Sequence, residues 1–472
     1  MKRIILIPIL AWAGILFAQH QELNEEPTIY NGNNVRVADS SSFLKAFKKG
    51  SFQGHFRYFF MNTINEGALT DYFANAIGGG LKYESAIYRN FQFGVSGFYV
   101  FNIGSSNLSE VDSITGVANR YEIGLFDIEN PNNHKDIDRL EELYLNYHWK
   151  KGHISFGRQL VNSPFINLQD GRMRPTGVEG VTFDHYFSKN YRLQAAYLYA
   201  FSPRSTTKWY DAGESIGLYP QGVNIDGSKG NYGGHLESNF AAYIDYQIKL
   251  GKSWSLQAHN LWIDQILNSA FLQVNWKHVF SDSRIFELAG QTVRQDAIGH
   301  GGNEDQQKTY AAANSHAMTF GAKGEWKEKK STFTVAYNHI TKAGRYLMPR
   351  EWGRDPFFTF LPRERSEGLG NVHSIAVKYQ RVFPKERLKM SIALAHHSLP
   401  DVKNYALNKY GMPSYYQSNL DLRYRFAKKL EGLELQTLLA VKINNGGTYD
   451  NKRYIIHKTN MLLLNVVLNY HF

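Results

Sequence analysis

Lysine and arginine recur within otherwise apolar stretches of this sequence, where they alternate with apolar residues. The candidates are Arg57, Arg192, Lys378, Lys389, Arg423, Arg425 and Lys442. Rows of fixed charge select ions by sign and attract carboxylates or phosphates, so the chemistry they indicate is electrostatic selection without a covalent step. The alternative is that these side chains only hydrate a surface and pair with acids such as Asp421 and Glu434. For the row as a whole we favour selection.

Signals for covalent or metal chemistry are weak. The segment 299–305 carries His300, Glu304 and Asp305, but it lacks a recognised ligand spacing and is more typical of a flexible loop. His396 and His397 are neighbours in a strand-like segment, so their side chains point to opposite faces and cannot chelate together. Cysteine is absent, and no GxSxG, Walker A or HExxH pattern occurs. We therefore expect no enzyme, no cofactor and no metal.

The N-terminus predicts export. Lys2 and Arg3 precede an apolar run over residues 4–17 that ends at Ala18, which indicates a signal peptide over residues 1–18. A membrane anchor is the alternative, but the run is too short to span a bilayer. Cleavage would lower the net charge from +11 to +9, because Lys2 and Arg3 leave (11 − 2). In an exported protein, nucleic acid is an improbable partner for that charge.

Beyond a polar N-terminal periplasmic segment at residues 19–50, apolar and polar residues alternate with a period of two. Strands place successive side chains on opposite faces, so one face is apolar and the other is hydrated. We predict eighteen strands, at 51–61, 74–87, 91–103, 139–149, 152–160, 178–188, 190–201, 239–250, 252–263, 269–280, 284–296, 315–326, 331–341, 371–381, 387–397, 415–426, 433–442 and 459–472.

The connections between these strands alternate between short polar turns and longer stretches. This rhythm is typical of a transmembrane barrel, with short periplasmic turns and long extracellular loops. A mean hydropathy of −0.42 excludes a helical membrane bundle. Because an open sheet edge in lipid would leave backbone groups unpaired, the sheet must close. The fold class is thus all-β, an 18-stranded antiparallel transmembrane barrel over residues 51–472 in the outer membrane of a Gram-negative bacterium. A soluble β-protein is the alternative.

A barrel of this width needs something to narrow it, and two loops are suited to the task. The loop 161–177 mixes apolar residues with Asp170, Arg172 and Arg174, so its apolar side chains could pin it against the inner wall. The loop 342–370 is rich in arginine, proline and aromatic residues. The alternative is that both are ordinary surface loops.

Several blocks resemble the OprD family of outer-membrane porins. They are 39–50 with 54–59, 78–85, and above all Gly157-Arg158-Gln159, Ser163-Pro164, Asp170, Arg172, Pro175 and Glu179-Gly180, with Arg350, Arg354 and Asp355 in a second block at 350–357. The resemblance implies that the 157–180 block holds the constriction loop and the 350–357 block a second narrowing loop. It also implies a monomer or a loose homotrimer, with a basic ladder that guides carboxylate-bearing solutes. Members differ in substrate, and Arg172 and Arg174 beside Asp170 favour an anionic or zwitterionic solute here.

We therefore predict a porin for passive, selective diffusion of small carboxylate-bearing or zwitterionic solutes. Its expected partners are that solute and the lipid and lipopolysaccharide of the outer membrane. Two other classes remain as alternatives. One is an outer-membrane barrel hydrolase, and the other is a surface adhesin that uses loops such as the one carrying Trp209 and Tyr210.

Overall fold

A computed structural model describes residues 42–168, 172–282 and 284–472 of the chain. The expected signal peptide, most of the segment 19–50 and Asp170 lie outside the described residues. Within the described residues, no helix has both the length and the apolar character needed to cross a membrane.

The described residues form one helix and nineteen strands. The helix α1 spans Phe43–Lys48. The strands are β1 Ser51–Ile64, β2 Tyr72–Glu84, β3 Phe91–Ser105, β4 Ile137–Trp149, β5 Gly152–Gln159, β6 Gly177–Ser188, β7 Tyr191–Ser202, β8 Tyr210–Asp211, β9 Ala241–Leu250, β10 Trp254–Ile263, β11 Leu267–Val279, β12 Ile285–Ala297, β13 His316–Glu328, β14 Ser331–Ile340, β15 Val372–Val382, β16 Leu388–Ser398, β17 Tyr415–Arg425, β18 Leu433–Asn444 and β19 Met461–His471. Short 3-10 segments lie at Glu122–Leu125, Gly299–Gly302, Gln306–Lys308, Pro384–Glu386, Lys428–Leu430 and Lys452–Tyr454.

All strands except the two-residue β8 form a closed antiparallel barrel. Each barrel strand pairs with its neighbour in the chain, and β7 pairs directly with β9. β1 pairs with β19 from His55 opposite His471 to Ile64 opposite Leu462, which closes the barrel. The predicted 18-stranded barrel is confirmed, with every boundary within three residues of its expected position. The periodicity sufficed because the side chains of each strand alternate between an outer face and an inner face.

Burial follows this alternation. On β1, His55, Arg57 and Phe59 lie on the inner face and are buried. Outer-face residues such as Leu81, Phe156 and Leu394 are exposed, which gives the barrel an apolar belt. We call the rim with the tight turns the short-turn rim and the opposite one the long-loop rim.

The long loops fold into the barrel and pack there as two apolar clusters. One joins Phe165, Tyr346 and Trp352 from the loops to β7 and β9–β12. The other joins Leu125 and Met173 to β1–β3 and β19. Loop residues therefore fill the interior from two sides.

Candidate functional site

Six arginines from four long loops converge on one narrow cavity of about 50 Å³ inside the barrel, which we call the arginine cavity. They are Arg120, Arg172, Arg204, Arg350, Arg363 and Arg365. The lining also includes Tyr121 and Tyr219, and among the described residues it includes no carboxylate. Positive charge concentrated in a cavity with low-dielectric walls raises the local concentration of anions.

The loop 161–177, which supplies Arg172 to this cavity, is pinned to the inner wall by apolar contacts. The ring of Phe165 lies 5.5 Å from His259 on β10 and 6.2 Å from Phe271 on β11. Ser163 closes a tight turn, because its backbone N–H donates to the carbonyl of Ile166 at 2.7 Å. The adjoining Pro164 is buried as well. The expected packing of this loop against the inner wall is therefore observed.

The second half of this loop is held by charged wall residues. Arg57 on β1 donates to the backbone carbonyl of Arg172, and Arg139 on β4 donates to that of Pro175 at 2.5 Å. Arg174 does not reach the arginine cavity, because its Nε donates to Glu141 on β4 at 2.5 Å. Of the expected constriction residues described here, only Arg172 lines the cavity with its side chain.

The loop 342–370, which the sequence predicts as a second narrowing loop, crosses the interior from wall to wall. On one side, the backbone N–H of Leu347 donates to Gln295 on β12 at 2.8 Å. On the other, Gln417 on β17 donates to the carbonyl of Pro362 at 2.8 Å, and Lys442 on β18 donates to that of Arg363 at 2.5 Å. Lys442 therefore anchors this loop.

The two narrowing loops are also joined to each other. The ring of Trp352 stacks on Phe201 of β7 at 4.3 Å, and its backbone carbonyl accepts from Asn167 at 3.1 Å. Asn167 accepts in turn from the backbone N–H of Arg354 at 3.1 Å. The two loops thus form one packed unit.

A buried ion-pair network fixes Arg350 at the edge of the arginine cavity. Glu367 accepts from Lys409 at 2.9 Å and from Tyr410 at 2.6 Å, and it lies 3.5 Å from Arg350. Burial would raise the pKa of Glu367, but Lys409 and Arg350 hold it below its ordinary value. Glu367 therefore stays ionised and offsets part of the positive charge behind the cavity wall.

The other expected residues of the second loop lie within it. Arg354 covers the ring of Phe360 at 4.3 Å, and Asp355 accepts from the backbone N–H of Ser366 at 2.9 Å. Burial raises the pKa of Asp355, and burial together with Asp355 raises the pKa of Glu364 to about 7. Neither Arg354 nor Asp355 lines the arginine cavity.

The expected ladder residues occupy the inner face of the barrel. Lys378, Lys389, Arg423, Arg425 and Lys442 come from the consecutive strands β15–β18. Lys389 lies directly opposite Arg423. The row through Arg425, Glu434, Asn469 and Arg57 is continuous across β17, β18, β19 and β1. The structure thus brings six of the seven residues onto one side of the wall.

These ladder charges have acidic partners. Arg423 lies 3.1 Å from Asp421, and Arg425 lies 3.0 Å from Glu434. Arg192 stands apart on β7, where it pairs with Asp184 at 2.6 Å. Three of the seven ladder residues are therefore compensated by wall carboxylates, while Arg57 and Lys442 donate to loop carbonyls.

Sequence reasoning missed four arginines of the cavity, namely Arg120, Arg204, Arg363 and Arg365. They lie on irregular loops, where periodicity carries no information about direction. The available signal was the density of arginine within the long loops, since residues 350–365 alone include four arginines.

A wider cavity of about 500 Å³ adjoins the arginine cavity and shares Arg120 and Arg350 with it; we call it the outer cavity. Its wall combines cations with tyrosines and aliphatic side chains. The principal ones are Val117, Val402, Tyr405, Lys409, Tyr410, Arg453, Tyr454, Ile456 and Lys458. Such a wall can hold a solute that carries both an apolar body and a negative charge. Within the described residues, no group of three or more His, Cys, Asp or Glu could hold a metal ion.

Comparisons with known proteins agree with this architecture. Residues 132–357 match the model of the OprD family of outer membrane porins. No curated protein sequence matches the chain. The predicted resemblance to the family is thereby confirmed over the matched residues, and the expected outer-membrane location is confirmed with it.

Solved structures share the fold at low sequence identity. Pseudomonas aeruginosa OccK8 (OprE) aligns with a TM-score of 0.70 at 14% identity, over 90% of this chain and 99% of that one. Pseudomonas aeruginosa OpdK with vanillate aligns with a TM-score of 0.68 at 12% identity, over 90% of this chain and 99% of that one. Acinetobacter baumannii OccAB4 aligns with a TM-score of 0.67 at 16% identity, over 90% of this chain and 98% of that one. At such identities the likeness shows the barrel fold alone.

Proposed function

Since residues 132–357 match the OprD family of outer membrane porins, we propose that this chain forms a passive channel selective for small anionic, carboxylate-bearing solutes. The observation that carries this proposal is the arginine cavity, where six guanidinium groups converge and the described lining holds no carboxylate. A carboxylate that enters such a site exchanges part of its hydration for charge-assisted hydrogen bonds.

Passage would occur in two stages. A solute first enters the outer cavity, where tyrosines and aliphatic side chains contact its apolar part. Its carboxylate then reaches Arg120 and Arg350, which line both cavities. Because these two arginines line both cavities, the carboxylate can move from the outer cavity to the arginine cavity while it remains next to a positive charge.

Release requires weak binding, so we expect saturable passage of low affinity. The ion pairs on the inner wall at Arg423 and Arg425 would form the exit path toward the short-turn rim. A zwitterionic solute would pass less readily than an anion, because its ammonium group would meet the same arginines. The porin family favours this channel over the hydrolase and adhesin alternatives.

Liposome swelling with purified protein tests the proposal. The panel comprises vanillate, which the OpdK structure contains, benzoate, succinate, neutral glucose and cationic arginine. We expect the carboxylates to enter faster than glucose, and arginine to be slowest. Equal rates for arginine and the carboxylates would contradict an anion-selective channel, and lipid or ester turnover by the same preparation would favour the hydrolase.

A further inference from the structure

The helix α1 lies outside the barrel, against its outer wall at the short-turn rim. It packs on Tyr83, an outer-face residue of β2, with the rings of Phe47 and Tyr83 4.9 Å apart. The hydroxyl of Tyr83 donates to the carbonyl of Phe47 at 2.5 Å. The backbone N–H of Ala86 donates to the carbonyl of Ala46 at 3.1 Å. These contacts fix the position of α1 on the wall.

Three apolar side chains of α1 remain largely exposed, although Phe47 also contacts Tyr83. Phe43 is 69% exposed, Leu44 61% and Phe47 48%. Phe52 and Leu81, on the outer faces of β1 and β2 beside the helix, are 76% and 60% exposed. The apolar surface of α1 therefore continues the apolar belt of the barrel.

Basic residues accompany this apolar surface. Lys45, Lys48 and Lys49 lie on or next to α1, and residues 42–50 include no acid. Arg89, in the turn after β2, lies over the ring of Tyr88 at 5.4 Å, and Phe43 contacts the same ring at 6.2 Å. An amphipathic helix with this pairing of large apolar and basic residues is suited to a membrane surface.

We propose that α1 is an interfacial anchor that binds the anionic phospholipid of the periplasmic leaflet. In porins the short turns face the periplasm, so α1 lies at the level of the headgroups on that side. Phe43, Leu44 and Phe47 enter the acyl region. Lys45, Lys48, Lys49 and Arg89 contact anionic headgroups, which attract cations near a membrane surface.

The length of α1 supports a bound state. A helix of six residues is too short to be stable alone in water, so it needs partners on its faces. The barrel wall covers the Ala46 side, and lipid would cover the other. Anchored in this way, α1 would fix the depth in the membrane at which β1 begins.

Because the chain contains no cysteine, nitroxide labels can be placed one at a time. The test uses Phe43→Cys in vesicles that contain phosphatidylglycerol. Leu81→Cys serves as the lipid-facing control and Asp282→Cys, in an exposed turn, as the aqueous control. We expect the label at position 43 to be accessible to oxygen and shielded from a nickel chelate, as at position 81. Behaviour like that at position 282 would overturn the proposal, as would spin–spin broadening, which would indicate a second copy of the chain.

The charge requirement is tested by changing Lys45, Lys48 and Lys49 to Gln in the Phe43→Cys background. In phosphatidylglycerol vesicles we expect nickel accessibility at position 43 to rise several-fold over the parent, and in phosphatidylcholine both proteins should be equally accessible. An unchanged value in phosphatidylglycerol would refute the role of the charges. Insertion is checked by the shifted migration of unheated barrel on gels, and normal insertion with a water-exposed label at 43 in the parent would also refute the anchor.

Discussion

Replacement of Arg120 by Gln tests the electrostatic argument most directly. Arg120 lines both the arginine cavity and the outer cavity, and its guanidinium lies 5.5 Å from the centre of the Tyr121 ring. Glutamine keeps a polar, although shorter, side chain and removes one positive charge. The change should therefore lower the attraction for anions without opening the packed loops.

The magnitude follows from Coulomb's law. One unit charge about 5 Å from a passing carboxylate contributes about 0.8 kcal/mol at a dielectric constant of about 80, and about 1.7 kcal/mol at about 40. For the anion alone these energies correspond to a fall of about 4-fold to about 17-fold, and the anion-to-cation permeability ratio should fall by at least as much. The water-filled side of the cavity favours the lower figure.

The assay is the reversal potential in a planar bilayer under a KCl gradient at about 0.1 M, where the screening length is about 10 Å. The matched control is Arg294→Gln, since Arg294 is exposed on the outer face of β12 and pairs with Asp296 at 2.5 Å. We expect the control to keep the parental ratio. If Arg120→Gln inserts normally and leaves the ratio unchanged, the arginine cavity does not determine selectivity.

Four further predictions concern the wall and the loops. Changing both Arg423 and Arg425 to Gln removes two charges, leaves their acidic partners, and should shift reversal potentials toward cations. Deleting residues 163–174 should raise single-channel conductance, because the first narrowing loop is lost. Trp352→Ala should cost the second loop about 3–5 kcal/mol of packing and make it sensitive to protease. Burial and Asp355 raise the pKa of Glu364 from 4.5 to about 7, so anion selectivity should increase as the pH falls from about 8 to about 6, and Glu364→Gln should abolish this response.

The controls follow from the same contacts. Between pH 4.5 and about 7, Glu364 keeps its proton in the folded chain but loses it in the unfolded chain. The contribution of this group to the free energy of unfolding therefore falls as the pH rises through that window. An anion selectivity that falls on acidification would count against the assignment of this pH response to Glu364. So would a pH response that persists in Glu364→Gln. Unchanged reversal potentials with Arg423 and Arg425 both replaced would refute the ladder. Equal or lower conductance after the loop deletion would mean that the constriction lies elsewhere, and resistance of Trp352→Ala to protease would show that this ring is dispensable.

The sequence determined the barrel because a strand repeats its pattern every two residues, and a membrane enforces that pattern on all eighteen barrel strands. Arg57 and Lys378 could be assigned to the inner face for this reason alone. In a closed antiparallel barrel, strands that follow one another in the chain lie side by side, so Lys389 and Arg423 could be expected to lie on adjacent strands. The sequence shows a short amphipathic stretch around Phe43, Leu44 and Phe47, but a stretch of this length was too short to predict the helix α1.

Only the tertiary structure decided which charges meet at the arginine cavity. Arg120 and Arg365 are far apart in the chain, and their loops have no repeating pattern that indicates direction. Their convergence depends on where Tyr121 and Trp352 pack in the interior, which is set by contacts between distant segments. Local periodicity specifies the face of a strand, whereas the path of a loop is specified by the packing of the whole interior.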